Sequence, residues 1–202
     1  MIDAYMWGTA NGLRATVALA ECGLEHRVHK VDLSKGDNRT PAYLQISAEG
    51  AIPVIVDRAG PDGKPLTLAH SGAIVVYCAE KSGRFLPADS ARRALAWQWF
   101  MHAASDVAGA SAGVFRLENA APEKNPANIE FFKGVLLGYF RAADQRLAGR
   151  DYLADEITFA DLMLYPNYAA RKPLLEPAGL ANLARWGERM AERPGVKKGM
   201  NP

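Results

Sequence analysis

The turn between the first predicted strand and the first predicted helix carries side chains that can stabilise an anion. It reads WGTANG over residues 7–12, and Thr9 and Asn11 can each donate a side-chain hydrogen bond. The helix N-terminus beside them offers unpaired N–H groups and a partial positive charge. A thiolate held there would have a lowered pKa and would be a better nucleophile near neutral pH. The alternative is that either residue only caps the helix, which from residue types alone is the more common role.

Two further segments suit a peptide-like ligand that carries carboxylates. Pro53 stands at the head of a predicted strand, which favours a sheet edge or a cis bond. A cis bond would turn the backbone of Ile52 outward to pair with an extended peptide, whereas a trans proline would simply begin the strand. Ser71 begins the third predicted helix, and we interpret it as the N-cap. Its hydroxyl and the first helical amides could also hold a carboxylate.

Composition excludes several other kinds of site. The chain has 202 residues, with 24 Lys+Arg against 22 Asp+Glu, and this small excess provides no electrostatic basis for binding nucleic acid or a membrane. The 2 Cys and 4 His lack metal-ligand spacing, so we expect no metal. No apolar run reaches the ~18 residues of a membrane span, and the N-terminal sequence lacks a secretory pattern. We therefore expect a cytoplasmic protein.

The elements of residues 1–83 follow the order βαβ, a variable piece, then ββα. The βαβ unit implies a parallel strand pair, and the Asp62-Gly63 dipeptide predicts a hairpin that adds antiparallel strands. The pattern predicts an α/β thioredoxin-like domain with a mixed four-stranded sheet. Its predicted strands cover residues 2–6, 27–33, 52–57 and 66–68, and its predicted helices cover residues 11–22 and 71–81.

Strand patterns disappear after residue 90, where the sequence predicts an all-α domain. Thr158 and Asp161 form an S/T-x-x-D capping box for a helix that we expect Pro173 to stop. A last amphipathic helix should end at Pro194. The predicted helical segments cover residues 91–117, 129–147, 162–171 and 180–190. The predicted domains are therefore residues 1–83 and 91–202, joined by a linker at 84–90.

Taken together and in order, these motifs resemble the glutathione transferase superfamily. The resemblance covers almost the whole chain and rests on the thioredoxin-like half, IPV at residues 52–54, HSGAIVVYCAEKSG from His70, and DEITFADLMLYP around Asp161. The N-terminal sequence MIDAYMWGTANGLR is most similar to the bacterial Nu class and the related glutathione-dependent disulfide-bond reductases. In those proteins a Thr and an Asn replace the catalytic Tyr, Ser or Cys, so the resemblance implies catalytic roles for Thr9 and Asn11.

The resemblance also implies a ligand and its placement. Glutathione, as co-substrate, would place its γ-glutamyl carboxylate at Ser71, its cysteine backbone at Ile52 beside Pro53, and its sulfur near Thr9 and Asn11. The implied activity is transfer of glutathione to a small electrophile, reduction of a small disulfide, or both, by a homodimer. The alternative is a non-catalytic glutathione transferase-like module for binding or dimerisation.

Several positions leave alternatives open within this resemblance. His70 stands where the family favours Glu or Gln, so the partner of the γ-glutamyl ammonium is open. Ala51 stands where relatives often carry Lys, and the candidates to bind the glycyl carboxylate instead are Lys35, Arg39 and Arg14. Tyr5, at the end of the first strand, is the runner-up catalytic residue.

Other reactive or aromatic residues are predicted mainly to be structural. Cys22 and Cys78 fall mid or late in helices, where small apolar residues usually fill the core, so a protein thiolate is disfavoured. His102 is expected to be a core or surface residue. The following could line an acceptor pocket or pack in the core: Trp7, Phe100, Phe115, Tyr165 and Tyr168.

Overall fold

The first part of the chain folds around a mixed four-stranded sheet. The computed structural model describes all 202 residues and divides them into two units, Met1–Leu86 with Ala191–Pro202, and Pro87–Met190. The strand order is β2-β1-β3-β4, with β1 parallel to β2 and the other pairs antiparallel, as predicted. The strands are β1 (Ile2–Met6), β2 (His26–Lys30), β3 (Val54–Asp57) and β4 (Leu66–Ala69).

Three helices of this unit follow from local sequence. The crossover helix α1 (Ala10–Glu21) begins after Thr9 and is followed by Gly23, whose φ of +67° suits a glycine. A short helix α2 (Pro41–Leu44) occupies the variable piece, and α3 (Ser71–Ser82) is capped by Gly83 at its C-terminus. The predicted hairpin joins β3 to β4, and its Asp62 and Gly63 both have positive φ.

Two details of this unit differ from the sequence-based expectation. Strand β2 ends at Lys30 rather than at residue 33, because the Asp32 side chain accepts hydrogen bonds from the Ser34 backbone and hydroxyl and so turns the chain. Ser71 is not the N-cap of α3. His70 holds that position with φ +69° and no side-chain capping bond, and Ser71 is the first helical residue. Positive φ at a histidine leaves no sequence pattern that would reveal it.

The second unit is helical throughout. The predicted helix 91–117 is α4 (Ser90–Met101) and α5 (Ala108–Asn119), joined by a π-helical segment at His102–Val107. Helix α6 (Pro126–Arg146) matches its prediction closely, and α7 (Phe159–Leu175) begins at the predicted capping box. Pro173 does not stop α7, which continues to Leu175; proline removes only its own N–H, and Leu175 is buried, so packing holds the last turn.

Residues near the C-terminus return to the first unit. Helix α8 (Ala181–Glu192) ends before Pro194 as predicted, but Pro194 then begins a further helix, α9 (Pro194–Met200), a position that proline tolerates well. Residues Ala191–Pro202 therefore group with the first unit, whereas the sequence predicts a helical domain running to residue 202. None of the nine helices is long and apolar enough to span a membrane.

Helix α9 packs directly on α1. The buried Glu21 carboxylate accepts hydrogen bonds from the Arg193 side chain at 2.6 Å and from the Val196 backbone at 3.0 Å. The Thr16 hydroxyl donates to the Gly199 carbonyl at 2.5 Å, and a side chain at Gly199 would overlap the backbone of Val17. Close backbone contact and a paired buried charge thus fix α9 against α1.

Candidate active site

The N-terminus of α1 is a partly exposed site built from Thr9 and Asn11. Thr9 is the N-cap, and its hydroxyl accepts a hydrogen bond from the Gly12 backbone at 3.3 Å. A Cβ at Gly12 would overlap the Trp7 carbonyl oxygen, so only glycine lets the turn close this tightly. No acidic residue lies in the first turn, and the N–H groups of Ala10 and Asn11 have no intrahelical acceptor. The helix end thus retains its capacity for an anion.

The N-terminus of α3 shares these properties. Its N-cap residue His70 makes no side-chain capping bond, and no acidic residue lies in its first turn. His70 is exposed, while the Ser71 side chain is largely buried at the beginning of the helix. The hydroxyl of Ser71 and the first backbone amides form a donor set that suits a carboxylate.

A buried arginine connects these two helix ends. One guanidinium nitrogen of Arg14, Nη1, lies 2.7 Å from Asn11 Oδ1 and 3.3 Å from Ser71 Oγ. Arg14 is 1% exposed, and burial lowers its pKa to about 10, which leaves it charged at neutral pH. The structure therefore brings Asn11 and Ser71 into one cluster. Sequence reasoning named Arg14 only as an alternative for the glycyl carboxylate, although its spacing of three from Asn11 on a helix indicates that contact.

The backbone around Ile52 is hydrogen-bonded at Ala51 but not at Ile52 itself. The Ile52–Pro53 bond is cis. The preceding carbonyl of Ala51 accepts hydrogen bonds from the Tyr43 hydroxyl at 2.8 Å and from the Ser47 hydroxyl at 2.9 Å. The backbone of Ile52 makes no hydrogen bond within the chain, so both of its polar groups remain available to a ligand.

Tyr5 lies within an aromatic cluster of the first unit. Its ring stacks on His29 with a centroid distance of 4.6 Å and meets the edge of Tyr43 at 6.3 Å. It also packs against a buried cluster that includes Val31 and Val54. These contacts give Tyr5 a packing role, and its runner-up catalytic role stays a prediction.

The two other cations considered for the glycyl carboxylate have partners elsewhere. Lys35 lies 3.6 Å from the Asp32 carboxylate, and Arg39 donates to the Glu49 carbonyl at 3.1 Å. The choice among these two residues and Arg14 stays open.

The cysteines and His102 have structural surroundings. Cys22 and Cys78 are buried free thiols, and burial raises the pKa of both, so neither supplies a thiolate at neutral pH. In the second unit, His102 contacts the Tyr139 carbonyl at 3.1 Å and Asp106 at 3.5 Å.

The predicted aromatic candidates for an acceptor pocket differ in exposure. Phe100, Tyr165 and Tyr168 are buried in the second unit, which is the core role considered for them. Phe115 is 58% exposed, and Trp7 in the first unit is half-buried. The three buried residues fill the interior of the second unit.

Comparison with known proteins identifies the family of this chain. Residues 10–81 match the family of the glutathione S-transferase N-terminal domain. A disulfide-bond oxidoreductase of Escherichia coli K12, YfcG, is 34% identical over 197 residues, covering 96% of this chain and 92% of that protein. The chain belongs to the glutathione transferase superfamily, as its motifs predict.

Solved structures agree with this assignment. A glutathione transferase of Pseudomonas putida, with one glutathione disulfide bound per subunit, has a TM-score of 0.90 at 30% identity, covering 99% of this chain and 90% of that one. A family member from Pseudomonas fluorescens with two glutathiones bound has a TM-score of 0.90 at 29% identity, covering 98% and 92%. The predicted fold, a thioredoxin-like domain with a helical part, is confirmed.

Proposed function

We propose that the protein is a glutathione-dependent enzyme that transfers glutathione to a small electrophile, reduces a small disulfide, or does both. The observation that carries this proposal is the cluster in which Arg14 joins Asn11 at one helix N-terminus to Ser71 at another. One end suits a thiolate and the other a carboxylate, which are the two anionic groups of the γ-glutamylcysteine part of glutathione. The disulfide-bond oxidoreductase relative and the glutathione-bound structures support the same chemistry.

Each residue of the site has a distinct proposed role. Thr9 and Asn11 stabilise the sulfur as a thiolate, while Ser71 and the first amides of α3 bind the γ-glutamyl carboxylate. The backbone of Ile52, beside Pro53, pairs with the cysteine of glutathione. His70 lies directly before Ser71, and we propose that it faces the γ-glutamyl ammonium. A neutral imidazole could accept a hydrogen bond from that group, whereas a protonated one would repel it.

The two reactions share their first requirement. In transfer, the thiolate sulfur bonds to an electrophilic carbon and a leaving group departs with the bonding electrons. In reduction, the sulfur attacks a disulfide, forms a mixed disulfide and expels a thiolate; a second glutathione then releases the other half as a thiolate and leaves glutathione disulfide. Both reactions need a stabilised thiolate, so this feature of the site does not distinguish them. Rates measured side by side with an aryl halide and with hydroxyethyl disulfide will identify the dominant reaction.

Glutathione binding tests the proposal most directly. We expect retention of the protein on immobilised glutathione and an increase in Tm with millimolar glutathione. Ser71→Ala should weaken glutathione affinity more than turnover, whereas Asn11→Ala should reduce turnover more than affinity. A protein that flows through the column and shows no shift in Tm is instead the non-catalytic module. Equal losses of affinity in both variants would contradict the division of roles.

The proposal includes a cytoplasmic homodimer. Three phenylalanines of α5 and α6 are exposed in the single chain: Phe115 at 58%, Phe131 at 67% and Phe132 at 37%. Three exposed aromatic side chains on two helices favour an interface between subunits. Light scattering should give a dimer for the native protein and a monomer for Phe131→Glu. The cytoplasm would supply reduced glutathione and keep both buried cysteines as thiols.

A further inference from the structure

The Arg14 guanidinium is a buried donor placed between two side chains of the proposed site. Its Nη1 atom contacts Asn11 Oδ1 at 2.7 Å and Ser71 Oγ at 3.3 Å. Arg14 is 1% exposed and Ser71 is 8% exposed, while Asn11 reaches the surface. The cation therefore lies beneath the two polar groups that would meet the ligand.

The contact with Arg14 determines which end of Asn11 faces outward. A carboxamide has an acceptor end and a donor end, and a guanidinium can only donate. The Oδ1 atom must therefore face Arg14, because the reversed orientation would oppose two sets of donor hydrogens. This leaves the Nδ2 hydrogens of Asn11 directed away from the guanidinium, where they can donate to an anion.

The same reasoning applies to the Ser71 hydroxyl. Its oxygen accepts a hydrogen bond from Arg14 Nη1, so the hydroxyl hydrogen cannot point toward the guanidinium. That hydrogen is available to donate to another acceptor. A single buried cation thus assigns the donor direction of two side chains that are 60 residues apart in the sequence.

We propose that Arg14 is a positioning residue that presents Asn11 and Ser71 together as hydrogen-bond donors to an anionic ligand. This inference rests on the proposed glutathione-dependent function. Arg14 acts through its two neighbours, and its buried charge also favours an anion above them. Sulfur stabilisation and carboxylate binding consequently depend on one residue, although different side chains carry them out.

The test compares Arg14→Met with Arg193→Met. We expect Arg14→Met to raise the pKa of the bound glutathione thiol by about one unit, read from thiolate ultraviolet absorbance against pH, and to weaken glutathione binding about tenfold. Arg193 pairs with Glu21, at the opposite end of α1 from Asn11, so its variant should lower stability and leave both quantities unchanged. Arg14→Met in an Asn11→Ala background should raise the thiol pKa by less than it does in the native background.

A purely structural Arg14 would give a different result. It would lower Tm while the thiol pKa and glutathione affinity stayed at their native values, and that result overturns the inference. If native protein binds no glutathione, the proposed function fails and the inference fails with it; native binding with an unaffected Arg14→Met variant overturns the inference alone.

A measurement on the native chain keeps the inference testable if Arg14→Met does not fold. In a crystal structure with glutathione, we expect Asn11 Nδ2 within about 3.5 Å of the sulfur and Arg14 Nη1 still donating to Asn11 Oδ1. Sulfur bound directly by Arg14, or Asn11 turned with its oxygen outward, would contradict the positioning role.

Discussion

Helices α1 and α7 both begin after a threonine N-cap, yet their first turns are completed differently. At α7, Thr158 and Asp161 are fully buried and form a reciprocal capping box. The Asp161 carboxylate also accepts hydrogen bonds from the Leu153 backbone at 3.2 Å and the Trp186 indole at 2.9 Å. At α1 the position corresponding to Asp161 is Gly12, so no carboxylate returns to the cap.

This difference separates a structural helix end from a candidate binding site. The α7 terminus is neutralised by its own carboxylate and closed by packing, so it has no capacity for a ligand. The α1 terminus instead has a buried cation, Arg14, behind an exposed amide, and its first turn lacks an acid. The same N-cap residue therefore predicts little until the third helical position is known.

The largest effect on stability should follow from removing the Asp161 carboxylate at the N-terminus of α7. Asp161→Ala leaves the Trp186 indole and two backbone N–H groups buried without an acceptor, so we expect a loss of about 3–5 kcal/mol in the free energy of unfolding by urea. Asp161→Asn, which keeps one acceptor oxygen, should cost less. A loss below about 1 kcal/mol for the alanine variant would mean that this terminus is not held by the carboxylate.

The pH dependence of stability sharpens the same contrast. Burial raises the pKa of Asp161 to about 6, above the ordinary value of 3.8. The folded state therefore keeps this proton to a higher pH than the unfolded state does. The resulting stability is complete below pH 3.8 and lost as pH rises through about 6.

We expect the native protein to lose about 2 kcal/mol relative to Asp161→Asn between pH 4 and pH 7, since each pKa unit corresponds to about 1.4 kcal/mol. Unfolding of both proteins at pH 4 and pH 7 measures this difference, and other carboxylates cancel in the comparison. A difference that stays constant with pH would show that Asp161 does not titrate in this range.

Replacing each N-cap threonine by alanine tests whether the N-terminus of α1 has a function that the N-terminus of α7 lacks. Thr9→Ala should reduce turnover at least tenfold with a stability loss of about 1 kcal/mol, because the side chain caps α1 and, under the proposed function, also donates to the sulfur of glutathione. Thr158→Ala, the matched change, should lower stability by a similar or larger amount without reducing turnover of the folded protein. Steady-state rates and urea unfolding measure both. Similar turnover losses in the two variants would remove the functional distinction between the termini.

The smallest effect should come from adding a negative charge to the first turn of α1, which has no acidic residue. Ala10→Glu places a carboxylate in the first turn, where it should stabilise the helix by about 0.3–1 kcal/mol. The same charge should raise the pKa of the bound glutathione thiol by a few tenths of a unit. Ala10→Gln is the neutral control. Equal thiol pKa values in the two variants would mean that the helix end contributes little to the thiolate.

Features encoded by nearby residues could be predicted from the sequence. The capping box depends on residues three apart, and the β3–β4 hairpin depends on Asp62 and Gly63; both are present. The mixed sheet and the family followed from the order of such local patterns. At the site, Thr9 as the N-cap of α1 and the outward position of Asn11 were accessible in the same way.

Features that depend on distant contacts could not be predicted. The bond from Arg14 to Ser71 joins residues 57 apart, and the positive φ of His70 is imposed by its surroundings. The sequence predicts only a helix end at Pro194, because local rules do not distinguish a proline after one helix from a proline that begins another. Contact with α1 decides between them.

The packing of α9 on α1 has a consequence for the order in which the protein is made. Helix α1 carries Thr9 and Asn11 at its beginning and Glu21 at its end, and Glu21 is neutralised by Arg193. The ribosome synthesises residues 87–190 between these two partners. During translation the Glu21 carboxylate therefore has no Arg193 to pair with until residues 87–190 have been synthesised, so the first unit cannot be completed before the whole second unit has been made, although its sequence appears first.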